Sequence, residues 1–216
     1  MRNFFFNVLC FLAVFAPFQF ALNIAPGFDV AVLRVVIILL FVFVVIKSLA
    51  EKKLVIPNDQ QSILLIAFFV VNAFSLFFAD NLVFGIRKIL FLASIFPLYF
   101  ILSDKLNNDL TDKKLIKFTK HLVWGGFLSL VFGFFIFLGQ FVFGVDALFG
   151  FYKKIGPLFW GQSLSDSVLN YQSFLVNIGG ADYFRMASLF PDPHNFALFA
   201  GMISFLSFAL CVYFFR

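Results

Sequence analysis

The densest run of chemistry-bearing side chains reads Asp182-Tyr-Phe-Arg185-Met-Ala-Ser188-Leu-Phe190-Pro191-Asp192-Pro193-His194-Asn195, followed by Phe-Ala-Leu-Phe-Ala-Gly201. Two prolines fix the backbone just before an apolar stretch, which places His194 and Asn195 at the start of a helix. Free backbone N–H groups and the positive end of the helix dipole lie there and favour an anionic ligand. Arg185, upstream, could fold back over the same spot, and a guanidinium fork suits phosphate oxygens better than an ammonium does. The same residues read equally as a helix-start turn with a structural arginine, and His194 as a capping side chain.

Three further cations sit where charge is expensive. Arg34 lies near one end of an apolar run, and Arg87 and Lys88 lie a few residues inside another. Charges at membrane depth are functional candidates by default, although long cationic side chains also snorkel to the interface. Arg87 and Lys88 are adjacent, so on a helix they point about 100° apart. At least one of the two is therefore expected to face the bundle or a cavity.

What must position these residues follows from composition. The chain has 216 residues, 62% of them apolar and 12% charged, with 39 phenylalanines and a mean hydropathy of +1.02. A water-soluble domain of this size cannot hide that much apolar surface. A cytosolic globular enzyme, a disordered chain and a secreted disulfide scaffold are all excluded. On a lipid-facing helix Phe and Leu are nearly interchangeable, so the Phe excess marks the solvent as lipid and nothing more specific. Cys10 and Cys211 fall inside apolar runs and imply neither a disulfide nor a metal site. No phosphate-binding glycine pattern or metal-ligand spacing occurs, and no cofactor, metal or nucleic-acid partner is expected.

A membrane-crossing helix needs about 20 apolar residues, and six stretches qualify: Phe4–Leu22, Val30–Ile46, Ser62–Ala79, Leu82–Leu102, Leu122–Gly144 and Asn195–Phe215. The first is too long for a signal-peptide core and is expected to be retained. The N-terminus, residues 47–61, residues 103–121 and the last residue carry ten cations: Arg2, Lys47, Lys52, Lys53, Lys105, Lys113, Lys114, Lys117, Lys120 and Arg216. Their acids are Glu51, Asp59, Asp104, Asp109 and Asp112. The opposite set carries six cations: Arg34, Arg87, Lys88, Lys153, Lys154 and Arg185. The positive-inside rule puts the first set in the cytoplasm, so both termini are expected inside and residues 145–194 outside.

Within that external segment, Ser163-Leu-Ser-Asp166 fits a capping box. Leu164, Val168, Tyr171, Leu175 and Ile178 recur at helical spacing until Gly179-Gly180. This predicts an amphipathic helix over about 164–178 on the outer face. Phe149, Phe151, Tyr152, Phe159 and Trp160 show no clean period and read as interfacial anchors. The expected fold is all-α: a single polytopic transmembrane domain of about six helices plus this amphipathic one.

The pattern Arg185-x-x-Ser188-x-Phe190-x-x-Pro193-x-Asn195 with a following Phe-Ala resembles the Arg-x-x-Gly-x-Phe-x-x-Pro-Asn signature of the O-antigen ligase and O-antigen polymerase membrane family. Asn72 and Ser75 on the third span and Asp80-Asn81 at its end suit the family layout as well. Ser188 stands where the family has glycine, and His194 is inserted between proline and asparagine. The resemblance implies a glycosyltransferase of the bacterial inner membrane that moves a glycan from a polyprenyl diphosphate carrier to a lipid or glycan acceptor on the periplasmic face, with no metal. Arg185 would match the motif arginine that holds the diphosphate. Arg34, Arg87 and Lys88 match nothing in the motif and are added by charge and depth alone, with Asn195 beside them. Members are about twice as long, with a catalytic histidine in the missing half. The chain is therefore expected to be an N-terminal fragment, and His194 is the candidate substitute base, while His121 falls on the cytoplasmic side. A transporter or permease subunit, with Arg87 and Lys88 lining an anion path, and a truncated non-catalytic remnant are the competing expectations.

Overall fold

The computed structural model describes residues 2–25, 28–50, 59–108, 112–170 and 174–215. Glu51, Lys52, Lys53, Asp109, Tyr171 and Arg216, which entered the charge pattern or the helical repeat, lie outside the described residues. The protein is an all-α polytopic membrane protein. Five helical stretches are long and apolar enough to cross a membrane: Val32–Ala50, Gln60–Phe78, Leu82–Ser103, Asp112–Phe143 and Pro193–Phe215. They coincide with five of the six expected spans.

The first expected span is shorter than its hydropathy suggested. Helix α1 covers Arg2–Phe15, about 21 Å at 1.5 Å per residue against a hydrocarbon layer of about 30 Å. Pro17, which is buried, has no N–H with which to continue the helix. The remaining apolar residues instead form strand β1 (Ala21–Ala25), paired antiparallel with β2 (Phe28–Ala31) in the register Ala21↔Ala31 and Leu22↔Val30. Val32 N–H donates to the Phe20 carbonyl at 2.7 Å and closes the hairpin's base. The expected loop at 103–121 is mostly helix, because α4 (Leu82–Asn108) and α5 (Asp112–Phe143) both run past the apolar stretch. Lys113, Lys114, Lys117 and Lys120 therefore ride on the first turns of α5.

The chain divides into two compact units, residues 34–111 and residues 1–33 with 112–216. The first holds α2 (Val32–Ala50, from Arg34 onward), α3 (Gln60–Phe74) with its 3-10 extension Ser75–Phe78, and α4. Asp59 caps α3: its carboxylate accepts from Ser62 N–H at 3.1 Å, from the Ser62 hydroxyl at 2.6 Å and from the Tyr99 hydroxyl at 3.0 Å. The Ser62 hydroxyl, and then Tyr99, hold the Asp59 carboxyl below the usual carboxylate range. Asn81 caps α4 by accepting from Phe84 N–H at 3.2 Å. Asn72 donates to the Phe68 carbonyl and Ser75 to the Asn72 carbonyl, so these polar side chains satisfy their own helix.

The second unit is built on α5. Its buried residues are Gly125, Gly126, Ser129, Gly133 and Gln140, a seam of small side chains that lets other backbones come close. A Cβ on Gly125 would run into the Val14 carbonyl of α1. One on Gly126 would meet Ile203 of α8 (Pro193–Phe215) at 2.7 Å, and one on Gly133 would meet Ser188 at 3.0 Å. Phe6 lies under Lys114 and Lys117 at 5.8 and 5.7 Å, so α1 runs parallel to α5. Lys120 lies over Phe214 at 4.3 Å, so α8 runs antiparallel. The start of α1 and the end of α8 thus both sit beside the first turns of α5.

Beyond Gly144 the structure departs from the sequence reading. Residues 145–160 form helix α6 (Val145–Trp160), whose buried face is Leu148, Tyr152, Gly156 and Trp160. Tyr152 and Trp160 are thus core residues, not interfacial anchors. The expected helix over 164–178 is instead α7 (Gln162–Asn170), then β3 (Leu175–Ile178) paired with β4 (Ala181–Phe184). α7 starts ahead of Ser163, at Gln162, whose Nε2 donates to the Asp166 carboxylate at 3.0 and 3.2 Å, and the Ser163 side chain of the expected capping box lies outside the described residues. Gly179 and Gly180, at φ 64° and 84°, make the two-residue hairpin turn that needs two left-handed residues. Leu175 and Ile178 fit either element by hydropathy, and the Gly-Gly turn with its cross-strand ladder decides for strand. Gly125→Val should destabilise the protein by about 1–3 kcal/mol, because a backbone carbonyl cannot move aside for the new methyl groups; thermal unfolding in detergent against the parent protein measures this.

Candidate functional site

The motif loop 185–192 is held from three directions, and aromatic packing supplies the floor. The rings of Tyr152, Trp160, Phe174 and Phe184 stack at centroid separations of 5.2 Å (Tyr152–Phe184), 5.3 Å (Phe174–Phe184), 5.7 Å (Tyr152–Trp160) and 5.9 Å (Trp160–Phe174). All four are buried, and each contributes about 1.5–3 kcal/mol of burial. Two of these rings also carry the hydrogen bonds that fix the loop. Tyr152 donates from its hydroxyl to the Ser188 carbonyl at 2.6 Å, and Trp160 from Nε1 to the Leu189 carbonyl at 2.7 Å.

The second support is Gln140 on α5. Its Oε1 accepts from Phe184 N–H at 2.7 Å and its Nε2 donates to the Phe184 carbonyl at 3.2 Å. The side-chain amide therefore acts as one more strand partner and satisfies both polar groups of a buried residue. Arg185 N–H then donates to the Phe174 carbonyl at 2.6 Å. The third support is Ser188, fully buried, whose hydroxyl donates to the Ser129 carbonyl at 2.7 Å and lies 3.0 Å from the Ser129 hydroxyl. Ser188 has φ 53°, the one non-glycine residue with positive φ among those described. That left-handed conformation costs an L-residue roughly 1–2 kcal/mol and a glycine nothing. The surrounding bonds hold it there.

Into this frame the candidate residues fall as follows. Arg185 is half-buried, its main chain fixed by Phe174, and its guanidinium makes no ion pair with a described residue. Asp192 caps α8: its carboxylate accepts from His194 N–H at 3.1 Å and its carbonyl from Phe196 N–H at 3.2 Å. The chain's own carboxylate thus occupies part of the anion-favouring position expected at the start of this helix. Pro193 occupies the first turn and is buried, whereas His194 and Asn195 are exposed. Among the described residues no hydrogen bond joins Arg185 to His194 or Asn195.

Arg34, Arg87 and Lys88 belong to the other unit. Arg34 is half-buried and is held against α4. Its Nη1 donates to the Ser94 hydroxyl at 3.2 Å and to the Phe91 carbonyl at 3.3 Å, and its guanidinium lies 4.0 Å over the Phe91 ring. Arg87 and Lys88 are both exposed, so neither is buried against described residues. Leu76 of the 3-10 extension and Ala79 pack against α4 at Gly85, on a different side of its first turns. Arg87 lies over the Phe84 ring at 5.9 Å.

Ser129, Gln140, Tyr152 and Trp160 do the positioning, and sequence reasoning had not singled them out for it. The signal was there for the two aromatics, because Leu148, Tyr152, Gly156 and Trp160 follow one another every four residues. Gln140 stands alone as an amide in an apolar run, which is itself a mark of a buried partner. A groove of about 500 Å³ between α5 and α8 is lined by Val123, Trp124, Phe127, Leu130, Ile203, Ser204 and Ser207. Ser204 and Ser207 donate to the Ala200 and Ile203 carbonyls of their own helix, so the groove wall is apolar. Comparison with protein-family models, with curated proteins and with solved structures returned no match.

Two measurements test this frame. Ser188→Gly relieves the left-handed residue and loses one hydroxyl bond, so its stability should stay within about 1 kcal/mol of the parent, whereas Ser188→Ala should cost about 1–2 kcal/mol; the order in denaturant melts decides. Burial pushes the Tyr152 phenol well above its ordinary value. The unfolded chain ionises first, so this group's contribution to stability is present below about pH 10 and is lost as pH rises further. Tyr152→Phe should flatten that alkaline decline, read from melting temperatures between neutral pH and pH 11.

Proposed function

We propose that the protein is a membrane glycosyltransferase of the O-antigen ligase and polymerase type, working on a polyprenyl diphosphate-linked glycan at the outer face of the bacterial inner membrane. The observation that carries this reading is the left-handed conformation of Ser188, at the position where the resembled signature has glycine. A sequence that merely shared a few residue types with that signature would have no reason to need a glycine-compatible backbone there. The tight anchoring of residues 184–190 supports it further, because a diphosphate-holding arginine gains most from a rigid main chain.

In this reading Arg185 pairs with the diphosphate. An acceptor hydroxyl oxygen attacks the anomeric carbon, the bond from that carbon to the diphosphate oxygen breaks, and the polyprenyl diphosphate leaves with the electron pair. The exposed His194 imidazole takes the hydroxyl proton, and Asn195 hydrogen-bonds the sugar or phosphate oxygens. The apolar α5–α8 groove suits an isoprenoid chain. The cation-rich first turns of α5 would lie in the cytoplasm together with the start of α1 and the end of α8. In the same reading the motif loop, at the other end of α5, would lie outside.

Arg185→Ala should lower glycan transfer, and retention of a polyprenyl diphosphate donor, by about tenfold or more, with Arg185→Lys between it and the parent. Nanodisc-reconstituted protein, checked for unchanged melting temperature, is the material. Parent-level transfer and retention by Arg185→Ala would remove the assignment.

A further inference from the structure

The unit formed by residues 34–111 carries a charged surface that glycan transfer leaves unexplained. On α4, Phe84, Arg87, Phe91 and Ser94 fall within about 80° of one another at 100° per residue, a single stripe. Two guanidinium groups lie along it, each over a phenylalanine ring: Arg87 over Phe84 at 5.9 Å and Arg34, reaching from α2, over Phe91 at 4.0 Å. The two rings are about 10 Å apart along the helix. Lys88 is off this stripe.

Arg34 is held in one orientation. Both bonds to Ser94 and Phe91 use Nη1, and Nε and Nη2 make no hydrogen bond with a described residue. Nε–H and Nη2–H form the side edge of the guanidinium, a fork that matches two oxygens of one phosphate. The carboxylates with described side chains in this unit are Asp59 and Asp80. Asp59 is committed to Ser62 and Tyr99 at the start of α3, and Asp80 forms no ion pair with a described residue. Among the described residues of this unit no carboxylate meets that fork, and an arginine at membrane depth is matched by an anion that reaches it there. The bilayer supplies such an anion in its phospholipid headgroups.

We infer that Arg34 and Arg87 bind the phosphate of a membrane phospholipid along the part of this stripe that Phe84, Arg87 and Phe91 leave exposed. The acyl chains lie along the exposed apolar side chains Leu90, Phe91 and Ile95, and the headgroup phosphate takes the free fork of Arg34 and the charge of Arg87. Retention of this lipid is independent of any transferase activity.

The test is native mass spectrometry of the full chain in detergent, with added phosphatidylglycerol, with diacylglycerol of the same acyl chains, or with inorganic pyrophosphate. Phosphatidylglycerol should be retained and diacylglycerol should not. Arg87→Gln should reduce retention about fivefold and Arg34→Gln about tenfold or more. Lys154→Gln, an exposed cation of the other unit, should leave it unchanged. Arg87 makes no hydrogen bond with a described residue, so Arg87→Gln carries the test if Arg34→Gln loosens α2 from α4, which melting temperature reports. Equal retention of diacylglycerol, displacement of the lipid by millimolar pyrophosphate, or unchanged retention in a folded Arg87→Gln protein would each overturn the inference.

Discussion

Close approach along one side of α5 underlies the whole of the larger unit. Lipid supplies no hydrophobic force to press helices together, so they associate by packing and by interhelical hydrogen bonds, both of which need near contact. Gly125, Gly126, Ser129 and Gly133 give that contact to α1, α8 and the motif loop in turn. Were the seam wider, Ser188 could not reach the Ser129 carbonyl, and the loop would lose the partner that holds its left-handed residue. The Arg185 main chain depends on the same geometry one step removed, through Phe184 and Gln140.

The loop illustrates how a mostly apolar chain deals with irregular backbone. Each exposed carbonyl of residues 184–189 would be costly in a medium without water. Gln140, Tyr152 and Trp160 answer three of them with side-chain donors, at 3.2, 2.6 and 2.7 Å. The aromatic side chains thus do two things at once. Their rings fill the space under the loop, and their polar tips complete its hydrogen bonding. Phenylalanine could supply the first but not the second, and this separates the one Tyr and one Trp of the stack from its two Phe members.

Fold class and five of the six expected spans were legible because hydropathy acts over about twenty residues at a time, and single exceptions seldom disturb it. What was not legible depended on local choices. The run Phe4–Leu22 is apolar throughout, yet Pro17 and the pairing of Ala21–Ala25 divide it into helix and strand. Leu175 and Ile178, three residues apart, satisfy a helical period and fall on opposite faces of a strand, and the Gly179-Gly180 turn with its ladder overrides that period. Arg185, His194 and Asn195 could be picked out by residue type, but the supports of their loop come from residues some 25 to 60 positions away in sequence. No single-sequence pattern encodes such pairings. For Arg87 and Lys88, an angle of about 100° between neighbours says that they face different ways, and not that a neighbouring helix buries either.

The Gly179-Gly180 turn has a practical meaning for topology. It is exposed, nothing lies within 4 Å of where a Cβ would stand on either glycine, and its two strands are closed by their own ladder. A short epitope spliced between these glycines would be tolerated by the fold and would project away from the aromatic stack. Antibody access to it in intact cells, compared with permeabilised ones, would report directly which face of the bilayer the motif loop occupies.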